Sequence, residues 1–302
     1  MSEVLSGVLP VLATPFTENG DLDTASLASE IDFVIDQKAH GVVLGMVSEV
    51  LRLSSEERDR LTAETCHIVN GRVSVTTSVG AESLHTAVRH AKHADAVGAD
   101  AVMAIPPMGT NCDDRELYQY YSGIIESIDI PVVVQDASGY LGRPLTIELQ
   151  VNLFTKYGDR ALFKPEAQPI GPRLSLLLEA TGGQAKVYEG TGGLALVDSY
   201  KRGIVGTMPG PDIVWALVAL WDALVGGDDE RVDQIQGPLC ALVSIQNSLD
   251  SFVAVQKHLL RRQGVIADIS ARGPVGYELD PQTTQELDRL FNRLASVVGV
   301  KV

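Results

Sequence analysis

The chain has 302 residues, of which 45% are hydrophobic, and a formal net charge of −15 at pH 7. This length suits one large domain or two small ones, and such a negative charge argues against binding to nucleic acid or to an anionic membrane surface. No apolar run is long enough to cross a bilayer, and the first residues lack the basic start of a secretory signal, so we expect a cytoplasmic protein.

Eight short apolar runs follow one another along the chain, and each is followed by a helix-like segment. Continuous apolarity is typical of strands that are buried on both faces, and regular alternation with helices is typical of parallel βαβ units. Eight such units within about 200 residues predict a closed (β/α)8 TIM barrel. The runs begin at Gly7, Gly41, Val73, Ala101, Pro131, Ala161, Ala185 and Gly203.

Beyond Met208 the pattern changes to long helical periodicity, as in "DIVWALVALWDALV". We therefore assign residues 1–209 to the barrel and 210–302 to a helical C-terminal extension that packs on it. No low-complexity linker separates the two parts, which argues against independent motion.

Lys164 ends the sixth run, in the stretch "ALFKPEAQP". The residue before a proline is pushed towards extended geometry, so Lys164 should keep strand geometry at the end of a barrel strand, where catalytic groups lie. If its side chain points inward, burial favours the neutral amine over the ammonium. A neutral amine can attack a ketone and form an imine, which withdraws electrons from a neighbouring bond.

Other residues near the strand ends can move protons: Asp136, Tyr140, Glu166, Tyr188 and Glu189. We expect Glu189 to lie beside Lys164 and to carry protons, with Tyr140 as the competing candidate. The alternative for Glu189 is a structural role as a helix cap or ion-pair partner, and the alternative for Tyr140 is packing within its loop.

Several stretches together resemble the dihydrodipicolinate synthase / N-acetylneuraminate lyase superfamily. They are "GVLPVLATPFTENGDLDTASLASEIDFVID", "LGMVSEVLRLSSEER", "IPVVVQDASG", "LFKPEA" and "RGIVGTMPG", in the order and at the separations of that family. The resemblance implies a barrel with a helical C-terminal extension and a Schiff base between Lys164 and pyruvate or another 2-oxo acid. It also implies a homotetramer or homodimer.

Departures from the family pattern are equally informative. The family's Gly-Thr-Thr-Gly-Glu is replaced by residues 45–49, "GMVSE". The substrate carboxylate would then rely on backbone N–H groups around Val47 and on the Ser48 hydroxyl. Gln135 stands in place of the relay tyrosine, and Tyr140 in place of the synthase's gripping arginine. This disfavours dihydrodipicolinate synthase itself, and it leaves Gln135 and Met208 as further residues expected to contact substrate.

The cysteines Cys66, Cys112 and Cys240 lack paired spacing, so neither a disulfide framework nor a zinc site is predicted. We expect no metal or other cofactor.

We predict a Schiff-base aldolase (a lyase) or dehydratase that acts on a 2-oxo acid such as pyruvate or a 2-oxo-3-deoxy sugar acid. One alternative is an inactive barrel that retains Lys164 and binds a metabolite. Another is a phosphate-handling enzyme that uses the glycine-rich stretch "EGTGGLAL" after the seventh run, because barrels often bind phosphate there.

Overall fold

The computed structural model describes residues 5–139 and 144–301. Its strands are short, and every pairing between neighbours is parallel. The strands are β1 (Gly7–Val8), β2 (Gly41–Leu44), β3 (Ser74–Ser78), β4 (Ala101–Ala104), β5 (Val132–Gln135), β6 (Ala161–Lys164), β7 (Tyr188–Glu189) and β8 (Gly206–Thr207).

The strands close into a barrel. One set runs in the order β2-β3-β4-β5-β6, and the other in the order β1-β8-β7. Single parallel bridges, Val11 with Val43 and Phe163 with Val187, join the two sets at both seams. The predicted (β/α)8 barrel is confirmed.

The helices surround the strands in the expected alternation. Helix α8 takes the place of the eighth barrel helix, and α9, α10 and α11 extend beyond it. None of the helices within the described ranges is long and apolar enough to cross a membrane. They are α1 (Thr24–Asp36), α2 (Ser55–Val69), α3 (Leu84–Ala96), α4 (Asp114–Glu126), α5 (Ile147–Tyr157), α6 (Ile170–Ala180), α7 (Leu196–Arg202), α8 (Val214–Gly226), α9 (Asp229–Val243), α10 (Leu249–Arg262) and α11 (Pro281–Val298).

Short polar residues begin many of these helices. The side chain of Ser54 accepts a hydrogen bond from the Glu57 amide, and the Glu57 carboxylate accepts one from the Ser54 amide, forming a capping box at the start of α2. The side chains of Asp23 and Asp113 likewise accept hydrogen bonds from amides in the first turns of α1 and α4, without the reciprocal bond. Each cap satisfies amides that a helix leaves without an internal partner.

The barrel interior is filled by apolar side chains that alternate with outward-facing ones along each strand. Leu162 and Val133 belong to this interior cluster. Because successive side chains of a strand point to opposite faces, the residues two positions further on, Lys164 and Gln135, also point inward. Apolar packing thus directs two polar side chains towards the mouth of the barrel.

Candidate active site

Lys164 lies at the bottom of a pocket at the carboxyl end of the barrel. Its side chain is 6% exposed, and its Nζ lies 2.6 Å from Oε1 of Glu166. Because the loops that follow the strands of a barrel gather at this end, residues from several loops meet around the amine. The pocket is lined by Val11, Gly45, Met46, Val47, Met103, Gln135, Lys164, Glu166, Gly190, Gly192, Met208, Pro209, Gly210 and Phe252.

Gln135 holds Glu166 in its orientation towards the lysine. The β5–β6 register places Gln135 directly opposite Lys164, and its Nε2 donates to Glu166 Oε1 at 3.0 Å. Within the described part of the chain, Oε2 of Glu166 and Oε1 of Gln135 are buried without a hydrogen-bond partner. Two buried oxygens next to the Lys164 amine therefore have unused hydrogen-bonding capacity, which is costly unless a bound molecule satisfies it.

Burial affects the protonation of Glu166. It raises the pKa of the Glu166 carboxyl above its ordinary value, although Lys164 acts in the opposite direction. The Glu166 carboxyl therefore binds a proton more readily than a carboxyl in water does.

Asp136 and Gly190 make this arrangement possible without contributing to it chemically. Asp136 accepts hydrogen bonds from the amides of Glu166 and Ala167, at 2.9 and 3.2 Å, and so fixes the turn after β6. At Gly190 a Cβ atom would lie 2.8 Å from both Lys164 Cε and Glu166 Oε1. A side chain at position 190 would displace the lysine or the glutamate.

Glu189 lies elsewhere than the sequence suggested. Its carboxylate accepts a hydrogen bond from the Thr207 hydroxyl at 2.6 Å, and its other oxygen accepts one from the Thr191 amide at 2.5 Å and one from the Thr191 hydroxyl. Tyr188 points into the barrel interior, so strand alternation turns Glu189 towards the surrounding helices. The carboxylate that contacts Lys164 is Glu166 instead.

The other predicted site residues differ in their positions relative to the pocket. Val47, Gln135 and Met208 line the pocket. The Ser48 hydroxyl does not, because it donates to the Leu12 carbonyl and accepts from the Gly45 amide at 3.0 Å; its contacts are those of a structural residue. Tyr140 lies outside the described residues.

The glycine-rich turn after β7 packs tightly against the C-terminal helices. Gly192 and Gly193 have positive φ values of 69° and 101°. A Cβ at Gly193 would lie 2.8 Å from a Leu217 methyl, and one at Gly192 would lie 3.2 Å from the Phe252 ring. Backbone conformation and close packing therefore explain these glycines. Across residues 5–139 and 144–301, no cluster of His, Cys, Asp or Glu could hold a metal ion.

Phe252 and Gly190 were missed by the sequence reasoning. Phe252 reaches the pocket from α10, about 90 residues after Lys164, and no spacing in the sequence connects the two. Gly190 adjoins a predicted strand end, but its contact with the lysine depends on how the barrel closes.

Comparison with known proteins assigns the chain to a family. The sequence model that describes the dihydrodipicolinate synthetase family matches residues 4–294 of this chain. The chain belongs to the dihydrodipicolinate synthetase family. The family resemblance seen in the sequence is thereby confirmed, and the chain is a member of a family of enzymes.

Individual relatives of this family member include sugar-acid enzymes. The chain is 29% identical over 300 residues to an L-2-keto-3-deoxyarabonate dehydratase of Azospirillum brasilense, covering 97% of this chain and 95% of that one. It is 34% identical over 149 residues to the Escherichia coli protein named "Probable 2-dehydro-3-deoxy-D-pentonate aldolase YjhH", covering 49% and 50%.

Solved structures support the barrel fold of this family member. The 4-hydroxy-tetrahydrodipicolinate synthase of Methylacidiphilum fumariolicum superposes with a TM-score of 0.88 at 23% identity, covering 97% of each chain. YagE of Escherichia coli, solved in complex with pyruvate, has a TM-score of 0.88 at 22% identity, covering 97% of this chain and 99% of that one.

Proposed function

We propose that this chain is a Schiff-base-forming lyase that removes water from a 2-oxo-3-deoxy sugar acid. The observation that carries the proposal is the buried contact between Lys164 and Glu166, in which one Glu166 oxygen has no hydrogen-bond partner among the described residues. The dehydratase name of a relative that matches over nearly the whole chain supports the same reaction class.

The reaction begins at the lysine. A neutral Lys164 amine adds to the carbonyl carbon of the 2-oxo acid, and the carbinolamine loses water to give an imine. The imine withdraws electrons from C2, so that C3 can lose a proton and the electron pair is held as an enamine.

Glu166 then transfers the protons. Its carboxylate takes the C3 proton and returns it, as the carboxylic acid, to the hydroxyl oxygen on C4. The C4–O bond breaks, water leaves, and a C3–C4 double bond forms in conjugation with the imine. A second water molecule then hydrolyses the imine, which releases the product and frees Lys164. One residue thus serves as base and acid, because burial brings its pKa closer to neutrality.

Gln135 completes the recognition of substrate in this proposal. Its amide nitrogen donates one hydrogen bond to Glu166, and its Oε1 has no partner among residues 5–139 and 144–301, so this oxygen can accept a hydrogen bond from a ligand. A carbonyl oxygen accepts but does not donate. Gln135 therefore selects a substrate that presents a hydroxyl group next to the reacting carbon.

Aldol cleavage is the second candidate. In that reaction Glu166 would remove the proton from the C4 hydroxyl, and the C3–C4 bond would break to release an aldehyde. The aldolase name of a relative favours it, although the match spans about half of each chain. A carboxyl that is readily protonated favours dehydration instead, because dehydration needs an acid at the C4 oxygen.

Borohydride trapping tests the proposal. Pyruvate plus borohydride should attach covalently to the peptide that contains Lys164, as mass spectrometry will show. The Glu166→Gln variant should still form this adduct, while dehydration in a screen of 2-oxo-3-deoxy pentonates and hexonates falls by about 100-fold or more. The exposed Glu179→Gln is the matched control.

Each outcome of this test has a clear meaning. An adduct at another lysine, or none with any 2-oxo acid tested, would overturn the Schiff-base proposal and favour a barrel that only binds a metabolite. Release of an aldehyde together with pyruvate would select aldol cleavage. Undiminished turnover in Glu166→Gln would remove Glu166 from the mechanism.

Condensation of pyruvate with aspartate semialdehyde should be negligible. Val47 and Gln135 stand where the resemblance places a relay threonine and a relay tyrosine, and Tyr140 where it places the gripping arginine. Robust turnover in a coupled assay would show that these positions do not set the reaction.

A further inference from the structure

One wall of the pocket is a strained segment after β2. Met46 and Val47 line the pocket, and residues 46–48 and 50–52 form two consecutive 3₁₀ turns. Glu49, between them, has a left-handed backbone with φ of 57°. This conformation is unfavourable for a residue with a side chain, so other contacts must hold the segment in place.

Helix α10 supplies those contacts from the C-terminal extension. Gln256 Nε2 donates to the Val47 carbonyl at 2.8 Å. The next residue, Lys257, donates to Glu49 Oε1 at 2.5 Å and to the Ser270 carbonyl at 2.6 Å. Gln256 and Lys257 are both 0% exposed, so water does not compete for these bonds.

The loop after α10 holds Glu49 from its other side. The Arg272 amide donates to Glu49 Oε2 at 2.6 Å, and Arg52 forms an ion pair with Asp250 near the start of α10. Phe252, one turn before Gln256, itself lines the pocket. The extension is thus attached to the pocket wall at three points along one segment.

We propose that Gln256 and the Lys257–Glu49 ion pair are positioning residues, which hold Met46 and Val47 at the distance from Lys164 that binding of the 2-oxo acid requires. This inference rests on the proposed Schiff-base function. It assigns to the C-terminal extension a role in substrate affinity, whereas the barrel strands carry the bond-breaking chemistry.

Gln256→Met provides the main test, because it removes the donor to Val47 at similar length. The Oε1 atom of Gln256 has no hydrogen-bond partner within residues 5–139 and 144–301. The substitution therefore removes a single hydrogen bond, and the variant should fold. The control is Gln263→Met, at the residue that follows α10, since Gln263 donates to the Asp212 and Leu259 carbonyls at 2.8 and 2.9 Å and accepts from Trp215 Nε1 at 3.1 Å, away from this wall.

The readout is the fraction of chain trapped by borohydride as a function of pyruvate concentration. We expect Gln256→Met to raise the half-saturating concentration by at least about five-fold, with the same maximal trapping as wild type and with Gln263→Met unchanged. Thermal unfolding of all three proteins reports whether each is folded.

Three results would count against the inference or its basis. A half-saturating concentration within two-fold of wild type, in a folded Gln256→Met protein, overturns the positioning role. Reduced maximal trapping without a shift in half-saturation also overturns it, because affinity would then be unaffected. Absence of an adduct in wild type instead overturns the proposed function on which the inference rests.

Discussion

Among the described residues, two buried lysine–glutamate pairs have almost the same spacing, Lys164–Glu166 at 2.6 Å and Lys257–Glu49 at 2.5 Å. They differ in what surrounds them. Lys257 also donates to a backbone carbonyl, and both Glu49 oxygens accept hydrogen bonds, whereas Glu166 keeps one oxygen without a partner in the described residues.

In the proposed function, this difference separates the reactive pair, Lys164–Glu166, from the structural one, Lys257–Glu49. A pair with unused hydrogen-bonding capacity beside a pocket can exchange its internal bonds for bonds to a substrate. A pair whose bonds are complete has nothing to exchange, and it instead fixes two distant segments relative to each other. Burial and proximity alone therefore do not identify the catalytic lysine.

The largest expected effect is that of Lys164→Met. It should abolish adduct formation and lower turnover by about 1,000-fold or more, because no other lysine lines the pocket in the described part of the chain. The free energy of unfolding should stay within about 1 kcal/mol of wild type, since the remaining carboxyl can become protonated when buried. Urea unfolding and trapping measure the two effects, with the exposed Lys156→Met as control.

Lys257→Met should show the opposite pattern, with a larger effect on stability than on adduct formation. Removing the ammonium leaves the Glu49 carboxylate buried without its main counter-charge, and we expect a loss of about 3 kcal/mol in the free energy of unfolding. The double variant Lys257→Met/Glu49→Gln should recover more than half of this loss. A single variant as stable as wild type, or a double variant no better than the single one, would contradict the structural role.

Glu30 is a buried carboxyl that forms no ion pair among the described residues, so it tests the effect of burial on stability. Burial raises its pKa to about 8, and its Oε1 accepts from the Ala13 amide at 2.7 Å. A carboxyl with a raised folded pKa stabilises the fold fully below its unfolded pKa, near 4.5, and loses this contribution as the pH rises through 8.

Glu30→Gln keeps the acceptor for Ala13 but does not ionise. The melting temperature should fall between pH 5.5 and pH 8.5 in both proteins, and the fall should be roughly 5 °C smaller in Glu30→Gln than in wild type. Scanning calorimetry measures both falls. The exposed Glu18→Gln serves as control. An unchanged fall in Glu30→Gln would mean that other groups set the pH dependence.

The smallest expected effect is that of Glu189→Gln. Because Thr191 and Thr207 occupy its oxygens, turnover on the identified substrate should stay within about three-fold of wild type. Tyr140→Phe is the parallel variant for the other sequence-based candidate. If Glu189→Gln lost 100-fold while Glu166→Gln did not, the proton carrier would be Glu189, as the sequence suggested.

The sequence predicted the fold well because its signals are local. Each barrel strand is a short apolar run, and Pro165 marks the end of β6 beside Lys164. The inward direction of Gln135 follows from counting two residues on from Val133. All of these inferences need information from fewer than ten neighbouring residues.

Other features depend on the closed barrel. Glu189 ends a strand of only two residues, so its direction could not be counted from an alternating pattern. The Lys257–Glu49 pair joins residues 208 positions apart, and no sequence period links them. Glu166 could be recognised as a strand-end acid, but its contact with Lys164 depends on the turn that Asp136 fixes.

The unequal strand lengths have a consequence for how the pocket fluctuates. Strands β3 to β6 have four or five residues each, whereas β1, β7 and β8 have two. Shorter ladders open locally at lower free energy, so their amides should exchange hydrogen first. Gly190 and Met208 follow the short strands, whereas Gln135 and Lys164 end long ones. We therefore expect the amides of β6, which carries Lys164, to exchange hydrogen more slowly than those of β1 and β8.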